Sequence, residues 1–235
     1  QKNKIQLYAN QVFITDAVDD IVPDFLSLLH GVIDSPDIPL NVSRSALQTD
    51  GNVRKISSHI TKKVADKLNG LFYDNREDFE HKWDYIGLFV KYGMMRDSTF
   101  NEKARKFCLL RNAERKLYTL DEYLTFARPN QTDKDGKVVV LYSTDSVAQH
   151  SYIESAKKRG YDVLLLDNGL IDVHFINFLE LQLEGAQVVR VDADVIDKLI
   201  DKGVARVTAV NDIEEQALKT LYADVVGKAH IRVDC

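Results

Sequence analysis

Apolar residues in the first third of the chain change from a strand pattern to a helical pattern. Residues 5–14 are rich in β-branched and aromatic side chains, which predicts a strand. Pro23 is predicted to open a short helix, since proline at the first helical position gives up an N–H that has no helical partner. The run 30–42 holds two prolines and is predicted to be extended. From 53 to 72 apolar residues step by three or four, which predicts one long amphipathic helix.

The central part of the chain is predicted to form several short helices, one after another. A second apolar stripe runs from Phe79 to Val90 and ends near Gly93, and residues 98–108 are predicted as a third helix. Thr119 followed three residues later by Glu122 has the spacing of a capping box, which predicts that another helix begins there. These helices predict a helical connector between two sheet-containing units.

Beyond residue 137, apolar runs alternate with helical patterns. Strands are predicted at 138–143, 163–166 and 188–191, with helices at 146–158, 171–184 and 211–226. Continuous apolar strands in strand–helix–strand order are typical of a parallel sheet with both faces covered. The polar loop 128–136 is the predicted boundary. The predicted fold class is therefore α/β: an α-β-α sandwich portion, a helical connector, and a small α-β-α unit with a short parallel sheet.

Composition narrows the function classes. The chain has 235 residues, 45% hydrophobic and 29% charged, as in a soluble globular protein. Its net charge of −5 makes nucleic acid a poor candidate partner, and no apolar run of about 18 residues predicts a membrane span. Cys108 and Cys235 cannot form a disulfide framework, and Cys108 is predicted to be buried. The Gln at position 1 and the strand-like final run suggest an excised fragment.

Motifs for nucleotide or metal binding are missing from the sequence. No Gly-rich phosphate loop occurs, and the six histidines have no partners at ligand spacing, so no metal site is predicted. Hydroxyl residues at 143–146 follow the strand 138–143 and could hold phosphate or cap the next helix, and capping is favoured. A flavodoxin-like enzyme built on 137–193 therefore has little support.

Asn41, Arg44 and Gln48 are spaced three and four apart after the proline-bracketed run. If a helix begins here, their polar groups share one side, and a guanidinium between two amides suits a phosphate or carboxylate. An ordinary exposed helix start, capped by Ser43, explains the same pattern.

Residues 12–48, VFITDAVDDIVPDFLSLLHGVIDSPDIPLNVSRSALQ, closely resemble the middle domain of the ninety-kilodalton heat-shock chaperones, the heat shock protein 90 family, whose bacterial members are called HtpG. Looser resemblance continues at 62–63, 79–93, 118–124, 138–144 and 163–172. The resemblance implies four parts. Residues 1–75 hold the C-terminal part of the large middle α/β subdomain with its catalytic loop, 76–130 the connector, 131–204 the small α/β subdomain, and 205–235 the start of the dimerisation domain.

The resemblance also implies an ATP-driven, dimeric chaperone of the bacterial cytoplasm that binds unfolded proteins. ATP with Mg is expected in a separate N-terminal domain, so this fragment should hold no cofactor and be inactive alone. The expected partners are that ATPase domain, the C-terminal dimerisation domain, client proteins and, in the full-length protein, a second copy. No nucleic-acid or membrane partner is expected.

The family's catalytic-loop pattern, N-x-S-R-x-x-x-Q, falls on Asn41, Arg44 and Gln48. The resemblance implies that Arg44 contacts the γ-phosphate of ATP, while Asn41 and Gln48 position the loop and contact the nucleotide or the N-terminal domain. Four residues are candidates for client binding: Trp83, His174, Asn177 and Phe178. A tryptophan four residues after Phe79 is also an ordinary core residue. A docking module for clients and co-chaperones, without catalysis, is the alternative function.

Overall fold

Three strands form the first sheet of the molecule: β1 (Lys4–Ala9), β2 (Val12–Thr15) and β3 (His30–Asp34), in the order β2-β1-β3. β2 is antiparallel to β1 and β3 is parallel to it. The computed structural model describes residues 4–16, 18, 21–26, 29–36, 51–166 and 169–193. All these elements belong to one compact unit, Gln1–Ile200, and the predicted parts at 205–235 lie outside the described residues.

The strand predicted over 5–14 is a hairpin. Asn10 and Gln11 have φ values of 49° and 66°, so both turn residues are left-handed, as a tight two-residue hairpin turn requires. Alternate β1 residues Ile5, Leu7 and Ala9 are buried, which gives the sheet one apolar face. The helix predicted after Pro23 is a single 3₁₀ turn, Asp24–Leu26.

Three helices follow in series: α1 (Gly51–Asp74), α2 (Arg76–Arg96) and α3 (Ser98–Ala104). Asn75 caps α2 by accepting the Asp78 N–H at 3.0 Å, and Asp97 caps α3 by accepting the Phe100 N–H at 2.7 Å. The two apolar stripes predicted for α1 and α2 are confirmed. Gly93 allows α2 to approach the 3₁₀ turn, because a Cβ there would lie 2.6 Å from the Phe25 ring.

A second, five-stranded sheet occupies the rest of the described chain in the order β5-β4-β7-β6-β8. Its strands are β4 (Leu109–Asn112), β5 (Leu117–Thr119), β6 (Val138–Ser143), β7 (Val163–Leu165) and β8 (Ala186–Arg190). Its helices are α4 (Leu120–Ala127), α5 (His150–Lys158) and α6 (Gly169–Glu180). β6, β7 and β8 are parallel, as predicted, while β4 and β5 add an antiparallel edge.

Both faces of the second sheet are covered. Val138 and Val140 of β6 pack into the large core with Phe175 of α6, whereas Val139 and Leu141 pack into a separate cluster with Ile153 of α5 and its neighbours. The predicted mixed α/β class with a doubly covered parallel sheet is confirmed.

Two features of the second sheet and its helices differ from what the sequence predicted. β4 and β5 lie within 76–130, which the sequence pattern describes as helices only. The helix predicted from residue 146 begins at His150, because the Asp145 carboxylate accepts the N–H groups of Val147 and Ala148 and forms a turn there. Within the ranges described above, no helix is long and apolar enough to cross a membrane.

Candidate functional site

The segment predicted to be catalytic lies between the end of β3 and the first turn of α1. The Ser35 N–H donates to the Tyr8 carbonyl at 3.0 Å, and the Asp34 carboxylate accepts the Gln11 N–H at 3.1 Å. These bonds anchor the point where the chain leaves the carboxyl end of a parallel strand pair. Ligand-binding loops of α/β proteins arise at this edge of the sheet.

Asn41, Arg44 and Gln48 fall outside the described residues, so their contacts with ATP or a neighbouring domain stay predictions. The structure describes the two elements that flank them in the sequence, β3 and α1.

The four predicted client-binding residues lie on two helices. Trp83 of α2 is 5% exposed, and its ring centroid is 5.9 Å from that of Phe79, while the neighbouring Tyr85 is 78% exposed. On α6, His174 and Asn177 are exposed, and the half-buried Phe178 stacks on Phe175. Trp83 thus has the environment of a core residue on its Phe79 side, and client binding stays a prediction for all four.

A cavity of about 370 Å³, which the sequence did not predict, opens beside Trp83. Its wall comes from α2, β4, the turn after β4, and β7: Trp83, Asp84, Gly87, Leu88, Lys91, Leu109, Arg111, Arg115 and Leu165. Trp83, Gly87 and Lys91 are spaced by four and therefore share one face of α2. The Arg111 Nη2 donates to Asp84 Oδ1 at 2.5 Å and joins β4 to α2. The sequence offered one sign of this cavity, an arginine at the end of the apolar run FCLLR. The cavity could not be predicted from it, because the residues that surround Arg111 are far away in the sequence.

Lys91 also makes a buried ion pair that joins α2 to α6. Its Nζ donates to Asp172 Oδ1 at 2.7 Å, and the two side chains are 7% and 1% exposed. The ammonium lies 5.6 Å from the centre of the Phe175 ring.

Nearby Cys108 is buried, and burial raises its thiol pKa to about 12. A thiol with so high a pKa is a poor nucleophile, which agrees with its predicted structural role.

Asp162 is the centre of a second buried polar group. The Asn112 Nδ2 donates to Asp162 Oδ2 at 2.7 Å, and the Gln131 amide bonds the backbone of Asp162 and of Val139. Burial raises the pKa of the Asp162 carboxyl. Because these bonds tie the 128–136 loop to β6 and to the residues before β7, the group is a structural clamp.

The turn after β6 is closed by side-chain hydrogen bonds of its own residues. The Gln149 Oε1 accepts the Ser143 hydroxyl at 2.9 Å and the Thr144 N–H at 3.1 Å, and the Asp145 carboxylate accepts two further N–H groups. These are donors that a phosphate would need, which disfavours a flavodoxin-like site. Because α5 begins at His150 and its N-cap residue Gln149 makes no side-chain capping bond, residues 143–146 form the end of β6 and the turn after it, and not the helix cap that the sequence predicted. In the part of the chain that the structure describes, no cluster of His, Cys, Asp or Glu could hold a metal ion.

Comparisons with known proteins agree over most of the chain. The family model described as Hsp90 protein matches residues 1–229. The chaperone protein HtpG of Porphyromonas gingivalis is 55% identical over 222 residues, which is 94% of this chain and 32% of that protein. HtpG of Bacteroides thetaiotaomicron is 51% identical over 227 residues, 97% of this chain and 33% of that protein. The chain thus spans about a third of the length of these curated relatives.

The fold has a match among solved structures. The middle domain of a Plasmodium falciparum heat shock protein superimposes with a TM-score of 0.60 at 20% identity, covering 82% of this chain and 74% of that one.

Proposed function

Because the chain belongs to the Hsp90 family, matching its model over residues 1–229, we propose that it is the middle segment of an ATP-dependent molecular chaperone and supplies Arg44 to ATP held by a separate N-terminal domain. One observation carries the proposal. The N-x-S-R-x-x-x-Q motif follows β3 in the sequence, and the anchored end of β3 lies at the carboxyl edge of a parallel strand pair, where ligand-binding loops of α/β proteins begin.

Arg44 is suited to this role by its chemistry. Bound ATP with its Mg²⁺ supplies the phosphoryl group that is transferred to water. The guanidinium of Arg44 presents a planar set of donors to the γ-phosphate oxygens and stabilises the charge that develops on them. Asn41 and Gln48 hold the loop in the position from which Arg44 reaches the phosphate. The turn after β6 is a poor alternative nucleotide site, because the N–H groups of Thr144, Val147 and Ala148 are already bonded there.

The remaining parts of the proposal concern partners. The full-length protein acts in the cytoplasm as a homodimer, with its own N-terminal and C-terminal domains as neighbours of this segment. Partly folded client proteins bind to surfaces that include α2 and α6.

Arg44→Ala in the full-length protein is expected to leave ATP binding nearly intact and to lower steady-state ATP turnover about ten- to a hundredfold. The expected loss is smaller than for other arginine fingers because domain closure limits the rate. Phosphate release measures turnover, and calorimetry measures nucleotide affinity separately. Arg54→Ala, an exposed arginine on α1, is the matched control and should retain the parental rate.

Two further variants test the geometry of the loop. Arg44→Lys should restore only part of the activity, since an ammonium cannot reproduce the planar fork. Gln48→Ala should lower turnover in the same direction but less. Parental turnover in Arg44→Ala would overturn the catalytic assignment.

A docking module without catalysis is the second candidate function. Its support is the exposed surface of α2, where Tyr85 is 78% and Leu88 39% exposed, together with exposed His174 and Asn177 on α6. If Arg44→Ala turns over ATP normally while Tyr85→Ala weakens client binding, this function replaces the first.

A further inference from the structure

The cavity beside Trp83 combines an apolar wall with cationic side chains. Its volume of about 370 Å³ lies within the usual range for small-molecule sites. The indole of Trp83 and the side chains of Leu109 and Leu165 supply apolar surface. Three basic residues, Lys91, Arg111 and Arg115, line the same space. A wall of this composition suits a molecule that has an apolar body and a negative charge.

The positive charge of the cavity is only partly neutralised. Asp84 is paired with Arg111, and Asp172 is paired with Lys91. Arg115 makes no ion pair within the described ranges, and its φ of 65° places it at the tight turn after β4. Arg115 is exposed and lines the cavity, so its guanidinium is available to an anion.

Arg111 is a second basic residue on the wall of the cavity. Its Nε is buried and has no hydrogen-bond partner among the described residues, although its Nη2 is bonded to Asp84. Buried polar groups are nearly always paired, and leaving one unpaired is costly. The enclosed Nε has no surface that a ligand oxygen could reach, so a ligand carboxylate would bind the outer nitrogens of the Arg111 guanidinium, whose side chain is 29% exposed and lines the cavity.

We propose that this cavity binds a small organic carboxylate. Its apolar body lies against Trp83, Leu109 and Leu165, and its carboxylate accepts hydrogen bonds from Arg111 and Arg115. The proposal is independent of the ATP-linked role of Arg44, because none of the wall residues belongs to the predicted catalytic segment.

Trp83 is the only tryptophan of the chain, so its fluorescence reports on the cavity directly. Octanoate is the first probe, and 1-octanol is its uncharged counterpart. We expect a saturable change of Trp83 fluorescence with octanoate and a response at least about tenfold weaker with octanol, because the alcohol cannot form the charged contact. N-acetyl-leucine, tested in parallel, shows whether the carboxylate end of a peptide chain also fits. Equal responses to octanoate and octanol, or no saturable response to either carboxylate, would overturn the proposal.

Two variants locate the charge that the ligand needs. Arg115→Asn removes the exposed guanidinium and keeps a residue that tolerates left-handed backbone, and Arg111→Gln removes the half-buried one. Each should weaken octanoate binding about tenfold, whereas Arg105→Gln, an exposed arginine after α3, should bind like the parent. Circular dichroism verifies that each variant is folded. If Arg111→Gln fails to fold, the octanoate affinity of Arg115→Asn alone tests the proposed site. Parental affinity in Arg115→Asn would contradict the site.

Discussion

The ion pair between Lys91 and Asp172 illustrates how burial changes the energetics of a charged contact. Both side chains are almost completely removed from water, at 7% and 1% exposure. Their attraction must offset the loss of hydration of two charges, so the pair adds little to the free energy of unfolding compared with apolar residues of the same size. Removing one partner is different, because the remaining charge is buried alone.

Lys91→Met should therefore lower the free energy of unfolding by about 3–5 kcal/mol, because Asp172 is left without its cation. The double variant Lys91→Met/Asp172→Leu should recover most of that loss. Chemical denaturation measures both. Lys82→Met breaks the exposed pair with Asp78 on the same helix and should cost less than about 1 kcal/mol. A double variant as unstable as Lys91→Met would contradict this account.

Cys108 is the second residue whose chemistry is set by burial. Raising its thiol pKa from 9.0 to about 12 reduces the thiolate fraction near pH 8 about a thousandfold. In a Cys235→Ser variant, we expect dithiobis(nitrobenzoate) at pH 8 to label Cys108 at least about a hundredfold more slowly in the folded chain than in denaturant. Rapid labelling without denaturant would show that Cys108 is accessible and reactive.

Among the secondary-structure elements, the start of α4 is the best specified by local sequence. The Thr119 side chain accepts the Glu122 N–H at 3.3 Å, and the Glu122 carboxylate accepts the Thr119 N–H at 2.7 Å, so the predicted capping box is confirmed. Arg76 at the start of α2 donates to both oxygens of the same carboxylate at 3.0 Å. One glutamate thus caps α4 and ties it to α2.

The hydrogen bonds from Arg76 lower the pKa of Glu122 below its usual 4.5. A carboxyl with a lowered folded-state pKa stabilises the fold above pH 4.5, and this contribution is lost as the pH falls through the lowered value. Glu122→Gln keeps the capping acceptor but removes the charge. It should lower the free energy of unfolding by about 0.5–1 kcal/mol at pH 7, and the difference should shrink as the pH falls below 4.5.

Denaturation curves of both proteins between pH 3 and 7 measure this difference. Glu102→Gln, an exposed glutamate on α3, is the control. A difference between Glu122→Gln and the parent that does not depend on pH would show that the charge has no part in joining α4 to α2.

A helix or strand could be predicted from the sequence when the residues that determine it are neighbours in the chain. The stripes of α1 and α2, the α4 cap and strand β6 were predicted because neighbouring residues determine them. The β4–β5 hairpin was missed because residues 113–116 contain no Gly or Pro, and a single residue, Asn112, organises the turn by accepting the N–H groups of Glu114 and Lys116. Arg115 has a φ of 65° in this turn. Residues 5–14 were predicted as one strand and not as two strands joined by a turn, because Gln11 is an unusual residue for left-handed backbone.

At the scale of the whole described unit, one apolar core joins the two sheets. It extends from Leu7 of β1 through Phe79 of α2 and Phe107 to Phe175 of α6. The cavity beside Trp83 lies where α2 meets the second sheet, and its wall residues are up to 82 positions apart, from Trp83 to Leu165. No local pattern could predict such a site, whereas Asn41, Arg44 and Gln48 could be proposed as site residues because they occupy one short motif.

The bond between Lys91 and Asp172 also has a mechanical consequence. Moving α2 along its axis by one residue shifts each side chain by about 1.5 Å and rotates it by about 100°. Such a slide would separate the ammonium from the carboxylate and leave two unmatched charges in the core. Intermediate positions of α2 on α6 are therefore unfavourable. The two helices either keep the one relative position that pairs Lys91 with Asp172, or they separate. A displacement applied to α2 would then be passed to α6 and its sheet without being absorbed between them.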